Sequence, residues 1–161
     1  MISARELLQR MANRNLTLGC VESLTGGMFG SKICEIPGAS HVFKGGIIAY
    51  DPKIKTSLAG VKKETIEKHG VVSAQVALEM AEGGRKALGV DVCLSCTGNA
   101  GPTAQEGDLP VGTVYLGLAY RGNVWNIPLS LKGDRAAIRE ETVAAMIAFA
   151  GSLFPEESKT N

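Results

Sequence analysis

The chain has 161 residues, of which 45% are hydrophobic and 20% charged, a composition that favours one globular domain and excludes collagen-like and disordered classes. Its formal net charge of +1 does not suggest the basic face of a nucleic-acid-binding domain, so we expect no nucleic-acid partner. No segment is apolar over a transmembrane length, and the N-terminal segment lacks the apolar core of a signal peptide. We therefore expect a cytoplasmic protein without a membrane partner.

The first half of the chain alternates helix and strand patterns. Ser3 and Glu6 form a capping box, which predicts that a helix begins there. The apolar run 16–23 is typical of a strand buried on both faces, and residues 42–50 are predicted to form a second strand. The helix predicted between these two strands ends before the turn signal Pro37-Gly38.

Two short helices and a longer helix are predicted in the middle of the chain. Residues 51–60 and 62–69 each carry the pattern of a short helix, and Ser73 is predicted to cap the longer one. Residues 90–97 are apolar and β-prone, and they form the third predicted strand.

A hairpin and a final helix complete the pattern. Residues 112–121 and 124–131 are predicted strands, and Gly122-Asn123 between them is a hairpin-turn signal. Asp134 is predicted to cap the terminal helix.

This order of elements determines the predicted fold. Buried strands that alternate with helices, together with one hairpin, predict the α/β class: a three-layer α/β/α sandwich around a mixed, mostly parallel sheet. We expect a single domain over residues 1–154, followed by a disordered tail over 155–161.

The four cysteines are too few for a secreted disulfide scaffold. Cys93 and Cys96 match a CxxC motif, but on a strand such residues point to opposite faces, which suits neither a metal site nor a redox pair. We therefore expect both to be buried and inert. No His, Cys, Asp and Glu cluster has metal-ligand spacing, so no metal and no cofactor is predicted.

Three loops are candidates for a site, because open α/β sheets bind ligands beyond the carboxyl ends of their strands. They are residues 22–27, 50–55 and 97–102. Glycines let the backbone approach a ligand, and the amides at a helix start favour anions. Neither glycine loop is a Walker motif or a GxGxxG fingerprint, so nucleoside triphosphates and dinucleotides are weak candidates.

Ser23 ends the first strand and is the best candidate nucleophile, provided that a base activates it. His69 lies at a helix end and His41 has no acidic residue nearby, so a Ser-His-Asp triad is not favoured. Lys55 can serve instead if burial lowers its pKa, although local sequence alone favours a solvated lysine. Glu22 can orient a hydroxyl or a lysine, or be a structural hydrogen-bond acceptor.

The remaining polar candidates each have two interpretations. Residues 25–27 suit a helix cap and tight turn as well as a binding loop, and Gly98 and Gly101 suit turn chemistry as well as ligand contact. Arg135 and Arg139 share one face of the last helix, where they can bind a phosphate or be solvated.

Six segments, taken in this order, resemble the CinA C-terminal domain family over residues 7–154: VESLTGG, FKGGIIAYDPKIK, EKHGVVS, CTGNAGP, PVGTVYLGL and KGDRAAIRE. That family includes stand-alone nicotinamide-nucleotide amidases. The resemblance implies hydrolysis of nicotinamide mononucleotide, a pyridine mononucleotide, to nicotinate mononucleotide and ammonia. It also implies a mixed five-stranded sheet and a homo-oligomer, with a dimer favoured.

The resemblance, carried over by position, implies catalytic roles for Ser23, Lys55 and Tyr50. With the candidates above, the predicted substrate-binding residues are Thr25, Gly26, Gly27, Thr97, Gly98, Ala100, Gly101, Arg135 and Arg139. The chain departs from the family pattern at Leu24 and at Asp51-Pro52, which replaces a YSN-type segment. Two mechanisms remain open, an acyl-enzyme on Ser23 or a water positioned by it, and a non-catalytic nucleotide-binding module is the alternative function.

Overall fold

Residues 1–105 and 107–158 are described by a computed structural model, and they form an α/β fold. The strands are β1 (Leu18–Glu22), β2 (Phe43–Ile48), β3 (Val92–Gly98), β4 (Thr113–Tyr120) and β5 (Asn123–Ser130). The helices are α1 (Ala4–Asn13), α2 (Met28–Cys34), α3 (Pro52–Ala59), α4 (Lys63–His69), α5 (Ala74–Leu88) and α6 (Arg135–Leu153). The predicted fold class is confirmed.

The five strands form one mixed sheet in the order β2-β1-β3-β4-β5. β1 runs parallel to both of its neighbours, whereas β4 runs antiparallel to β3 and to β5. Four strands therefore point one way and one points the other way, in agreement with the predicted mostly parallel sheet. At the end of β1, Glu22 lies opposite Ile48 of β2 and Cys96 of β3.

Helices cover both faces of the sheet. One core, which includes Leu7, Phe29 and Met146, lies between the sheet and the helices α1, α2 and α6. The other core, which includes Val76 and Met80, lies between the sheet and the helices α3, α4 and α5. All five residues of β1 are buried because helices cover this strand on both sides, as its continuous apolar pattern predicts.

The predicted helix starts are confirmed by their hydrogen bonds. Ser3 and Glu6 form both bonds of the capping box at the start of α1. The side chains of Ser73 and Asp134 accept backbone hydrogen bonds at the starts of α5 and α6.

The hairpin turn lies one residue earlier than the sequence predicts. Arg121 and Gly122 form the two-residue turn, and Asn123 already pairs with Tyr120. Both turn residues have a positive φ, 49° for Arg121 and 76° for Gly122. Primed hairpin turns require that conformation at both central positions, because their twist matches the twist of the flanking strands.

The predicted burial of the CxxC pair is confirmed. Cys93 belongs to the core beside α5, and Cys96 belongs to the core on the opposite face. Burial raises the pKa of Cys93 to about 12 and that of Cys96 to about 11, so both are neutral thiols near pH 7.

Residues 155–158 follow α6 without helix or strand, and the Pro155 carbonyl accepts a hydrogen bond from Arg14 Nη2 at 2.6 Å. The predicted disordered tail also includes residues 159–161, which lie outside the described residues. In residues 1–105 and 107–158, no helix is both long and apolar enough to cross a lipid bilayer.

Candidate active site

The candidate site lies where β1 ends, between the ends of β2 and β3. The chain leaves β1 through α2 on one face of the sheet and leaves the neighbouring β2 through α3 on the opposite face. Such a change of face opens a crevice beyond the carboxyl ends of the strands, where α/β sheets bind ligands. The three loops that the sequence indicates all begin at this edge.

Ser23 follows β1 directly, and its hydroxyl oxygen lies 2.8 Å from Lys55 Nζ. The amine also donates to the carbonyl oxygen of Ala49 at 2.6 Å and to that of Tyr50 at 3.2 Å. Lys55 is completely buried, and Ser23 is 6% exposed. The local interpretation of Lys55 as a solvated lysine is therefore wrong, and the two residues paired by the resemblance lie in contact.

The end of β2 explains how a lysine becomes buried here. β2 ends two residues earlier than predicted, and Asp51 then caps α3. The carbonyls of Ala49 and Tyr50 therefore lie in the connection to α3, where Lys55 reaches them from the first turn of that helix. Sequence analysis missed these two acceptors. The helix start at Asp51-Pro52 is the signal that locates them, because it shows where the strand must end.

Burial lowers the pKa of Lys55 to about 8. A neutral amine has two N–H bonds and one lone pair. If the two N–H bonds go to the carbonyls of Ala49 and Tyr50, the lone pair faces the hydroxyl of Ser23. Lys55 is thus placed to accept the proton of Ser23 near neutral pH, which is the arrangement that a serine nucleophile requires.

Glu22 precedes Ser23 and is 2% exposed. Its Oε1 accepts hydrogen bonds from the Thr25 hydroxyl at 2.6 Å and the Phe29 amide at 2.8 Å, and its Oε2 accepts one from the Gly30 amide at 3.1 Å. Within the described residues, no hydrogen bond of this carboxylate goes to the serine–lysine pair. Glu22 is thus a hydrogen-bond acceptor, and the hydroxyl that it orients is that of Thr25.

The turn after β1 uses several groups that were predicted to contact a substrate. Thr25 is buried with its hydroxyl on Glu22, and the Gly26 amide donates to the Ser23 carbonyl at 3.0 Å. Gly27 has a φ of 103°, a conformation that residues with a side chain rarely adopt. Among the described residues, no hydrogen-bond acceptor is found for the Gly27 amide. Substrate contact by residues 25–27 stays a prediction.

The second glycine loop packs closely against its surroundings. Thr97 is buried, and its hydroxyl donates to the Val71 carbonyl at 3.0 Å. A Cβ on Gly98 would lie 2.7 Å from Val114 Cγ2, so a glycine lets the end of β3 approach β4. Ala100 is buried in the core that contains α6. Substrate contact by these residues also stays a prediction.

Arg135 and Arg139 lie one turn apart on α6 but hold different loops. Arg135 is exposed, and its guanidinium donates to the Gly101 carbonyl and to the Tyr50 hydroxyl, the latter at 3.2 Å. Arg139 is half-buried and donates to the carbonyl oxygens of residues 24 and 25 at 2.9 and 3.0 Å. Arg135 therefore joins Tyr50 to the second loop, whereas Arg139 holds the first. Phosphate binding by either arginine stays a prediction.

Two other kinds of site, a Ser-His-Asp triad and a metal centre, can be compared with the residues that the structure describes. There, the Ser23 hydroxyl hydrogen-bonds to Lys55 and to neither His41 nor His69. Likewise, no group of three or more His, Cys, Asp or Glu side chains in the described ranges is arranged to hold a metal ion.

Comparison with known sequences identifies a family. The family model described as the CinA C-terminal domain matches residues 2–153. A CinA-like protein from Kosmotoga olearia is 50% identical over 133 residues, which cover 83% of this chain and 32% of that protein. A CinA-like protein from Dictyoglomus thermophilum is 42% identical over 139 residues, which cover 86% and 34%. The chain thus spans about a third of the length of these relatives.

Solved structures share the fold over almost the whole chain. A competence/damage inducible protein from Agrobacterium tumefaciens has a TM-score of 0.89 at 32% identity, with 93% of this chain and 92% of that chain covered. A CinA superfamily protein from Enterobacter cloacae has a TM-score of 0.91 at 26% identity, with 96% and 94% covered.

Proposed function

Because the chain belongs to the CinA C-terminal domain family and its candidate site holds a buried serine–lysine pair, we propose that it is a nicotinamide-nucleotide amidase. The proposed reaction is hydrolysis of the carboxamide of nicotinamide mononucleotide to nicotinate mononucleotide and ammonia. The observation that carries the proposal is the 2.8 Å contact between Ser23 Oγ and Lys55 Nζ, with two carbonyls orienting the amine. A protein that only binds nucleotides has no use for such a pair.

The proposed first half-reaction forms an acyl-enzyme. Neutral Lys55 accepts the proton of Ser23 while Oγ attacks the carboxamide carbon and forms a tetrahedral intermediate. The protonated Lys55 then donates its proton to the departing nitrogen, and ammonia leaves. The nicotinoyl group remains on Ser23 as an ester.

The proposed second half-reaction returns the enzyme to its starting state. Lys55 accepts a proton from water, and the hydroxide attacks the ester carbon. When the intermediate collapses, Ser23 Oγ recovers a proton from Lys55 and nicotinate mononucleotide is released.

The developing negative charge needs hydrogen-bond donors. We assign this role to the Gly27 amide, since the amides of Phe29 and Gly30 already donate to Glu22. Direct attack by a water that Ser23 positions is the competing mechanism. It predicts that hydroxylamine traps no hydroxamate from an acylated Ser23.

The 5′-phosphate of the substrate is assigned to Arg135. Arg135 is exposed, and its guanidinium donates to the Tyr50 hydroxyl and to the carbonyl of Gly101. The exposed ring of Tyr50 adds an aromatic surface on the same side.

The deciding experiment gives purified protein nicotinamide mononucleotide and measures both ammonia and nicotinate mononucleotide. Ser23→Ala is run alongside, with Ser57→Ala, an exposed serine of α3, as the matched control. Product from the native protein and from Ser57→Ala, but not from Ser23→Ala, supports the proposal. Substrate binding by the folded native protein without product would favour the nucleotide-binding module, and full activity in Ser23→Ala would exclude Ser23 as the nucleophile.

A further inference from the structure

The carboxylate of Glu22 is buried one residue before the proposed nucleophile, yet the proposed mechanism does not use it. Thr25, Phe29 and Gly30 each donate a hydrogen bond to it at 3.1 Å or less, and the Cys20 thiol donates a longer one at 3.6 Å. Charge-assisted bonds of this kind are stronger than bonds between neutral groups.

The position of this carboxylate is the one that an anion takes at a helix start. The first amides of a helix lack acceptors within the helix and carry part of the positive end of its dipole. In this protein the amides of Phe29 and Gly30, in the first turn of α2, donate to the two oxygens of Glu22. An internal anion therefore satisfies them, and it joins the end of β1 to the start of α2 across the turn.

The same turn is held on its carbonyl side by α6. Arg139 donates from Nε to the Leu24 carbonyl and from Nη2 to the Thr25 carbonyl. Glu22 and Arg139 thus hold the turn through different atoms, the carboxylate through the Thr25 hydroxyl and the arginine through main-chain oxygens. Ser23 lies between Glu22 and these held residues, with its hydroxyl on Lys55.

We propose that Glu22 is a positioning residue, whose carboxylate accepts the hydrogen bonds of Thr25, Phe29 and Gly30 and thereby holds the Ser23 turn in reach of Lys55. The role rests on the proposed amidase activity. Glu22 takes no proton from the substrate and does not touch it. Its contribution is to the rate of attack, because a displacement of about 1 Å in a reacting group can reduce a rate about a hundredfold.

The chain contains a matched control for this role. Glu79 on α5 accepts hydrogen bonds from the Lys62 amide at 2.9 Å and from the Thr65 hydroxyl at 2.9 and 2.7 Å, at the start of α4. Like Glu22, it ties a threonine hydroxyl and a backbone amide near a helix start to another element. Glu79 differs in that none of the proposed catalytic residues belongs to the helix start it holds.

The test compares Glu22→Gln with Glu79→Gln. A glutamine keeps the size of the side chain but turns one acceptor oxygen into a donor, which cannot satisfy an amide. We expect kcat to fall about ten- to hundredfold in Glu22→Gln, with KM within about threefold of native. Glu79→Gln is expected to keep both constants near native. A folded Glu22→Gln protein with native kcat, or an equal loss of kcat in Glu79→Gln, would overturn the proposal.

A second measurement separates this inference from the proposed substrate. A small fluorophosphonate reacts with an activated serine without needing the nucleotide contacts, and mass spectrometry shows whether it labels Ser23. We expect native protein to be labelled at Ser23, and Glu22→Gln at least tenfold more slowly. Slower labelling of Glu22→Gln than of native protein, with no deamidation by native protein, would refute the substrate and keep the positioning role. Equal labelling rates, or no labelling of native protein, would overturn the role itself.

Thr25→Val provides the test if Glu22→Gln does not fold. This substitution removes the hydrogen bond from the Thr25 hydroxyl to the Glu22 carboxylate. The hydrogen bonds from the amides of Phe29 and Gly30 stay in place. We expect it to slow the labelling of Ser23 severalfold, by less than Glu22→Gln. An unchanged rate in Thr25→Val would overturn the role of the network.

Discussion

The two glycine loops at the edge of the sheet look alike in sequence but differ in what they leave free. The turn at 23–27 is fixed by hydrogen bonds, from the Thr25 hydroxyl to Glu22 and from Arg139 to the main-chain carbonyls of the turn. The loop at 98–102 is joined to α6 through Arg135, whose guanidinium stays exposed. A turn that is fixed suits a reacting group, and a loop with an exposed cation suits a ligand. We therefore expect substitutions in the first region to change rates and those in the second to change affinity.

The largest expected effect comes from Lys55, the proposed base that contacts Ser23 in the first region. Lys55→Met keeps an unbranched apolar side chain in the buried space but removes the proton acceptor. We expect kcat to fall by about 10³ or more, at the upper part of the range for general-base catalysis. Lys53→Met, an exposed lysine of the same helix, is the control and should keep native turnover. Near-native turnover in Lys55→Met would show that Ser23 is activated in another way.

The pH dependence of the rate should follow the protonation of Lys55. With the pKa of Lys55 at about 8, only about a tenth of the amine is neutral at pH 7. We expect kcat/KM, which reports the free enzyme, to rise about tenfold per pH unit below pH 8 and to level off above it, as steady-state rates across pH 6 to 10 would show. A kcat/KM that is flat over this range would contradict the role of Lys55 as the base.

The same pKa predicts a change in stability with a definite sign. Because the folded protein holds this proton less tightly than the unfolded chain, unfolding takes up a proton between pH 8 and the ordinary lysine pKa of 10.5. The free energy of unfolding of native protein, relative to Lys55→Met, should therefore increase with pH across this window. Denaturant titrations of both proteins at pH 7 and pH 10.5 measure the difference. An equal difference at both pH values would contradict the shift.

Arg135 and Arg139 give the direct comparison of the two regions. We expect Arg135→Ala to raise KM about ten- to hundredfold with little change in kcat, because a charge-assisted contact with the phosphate is lost. Arg139→Ala should instead lower kcat about tenfold with KM near native, because the carbonyls of the nucleophile turn lose their donor. Arg5→Ala, an exposed arginine of α1, is the control. The two variants changing the same constant would remove the distinction between the loops.

The smallest predicted effect concerns the packing of the second loop. An alanine at Gly98 would place its Cβ 2.7 Å from Val114 Cγ2 and 2.8 Å from the Thr113 carbonyl oxygen. Crowding of this kind typically costs about 1–3 kcal/mol of stability. Chemical denaturation of Gly98→Ala should show a loss in that range. An unchanged free energy of unfolding would show that β4 moves aside at low cost.

The sequence determined by itself those features that depend on local interactions. Ser3, Ser73 and Asp134 mark helix starts because a side chain next to a helix can satisfy its first amides without any tertiary contact. The apolar run before Ser23 predicted a strand buried on both faces, since only a covered strand tolerates apolar residues at every position. The order of these elements was enough to predict the α/β sandwich.

The site was predicted in part, and the resemblance to a family did more than local chemistry. Neighbouring residues favoured a solvated Lys55, whereas the structure buries it. Arg135 and Arg139 have the spacing of a pair, yet they hold different loops. Each of these outcomes depends on which carbonyls a neighbouring loop presents, and spacing along one helix does not contain that information.

Tertiary structure decided where the polar side chains of the site find their partners. Ser23 and Lys55 are 32 positions apart, and they meet because β1 pairs with β2 in a register that sets Glu22 opposite Ile48. That register also brings the carbonyls of Ala49 and Tyr50 beneath the lysine. A local pattern fixes where a strand or helix forms, but the contacts between elements depend on burial and pairing across the whole sheet. The residues of the site were therefore visible in the sequence, whereas their division into reacting, binding and positioning groups arises only in the fold.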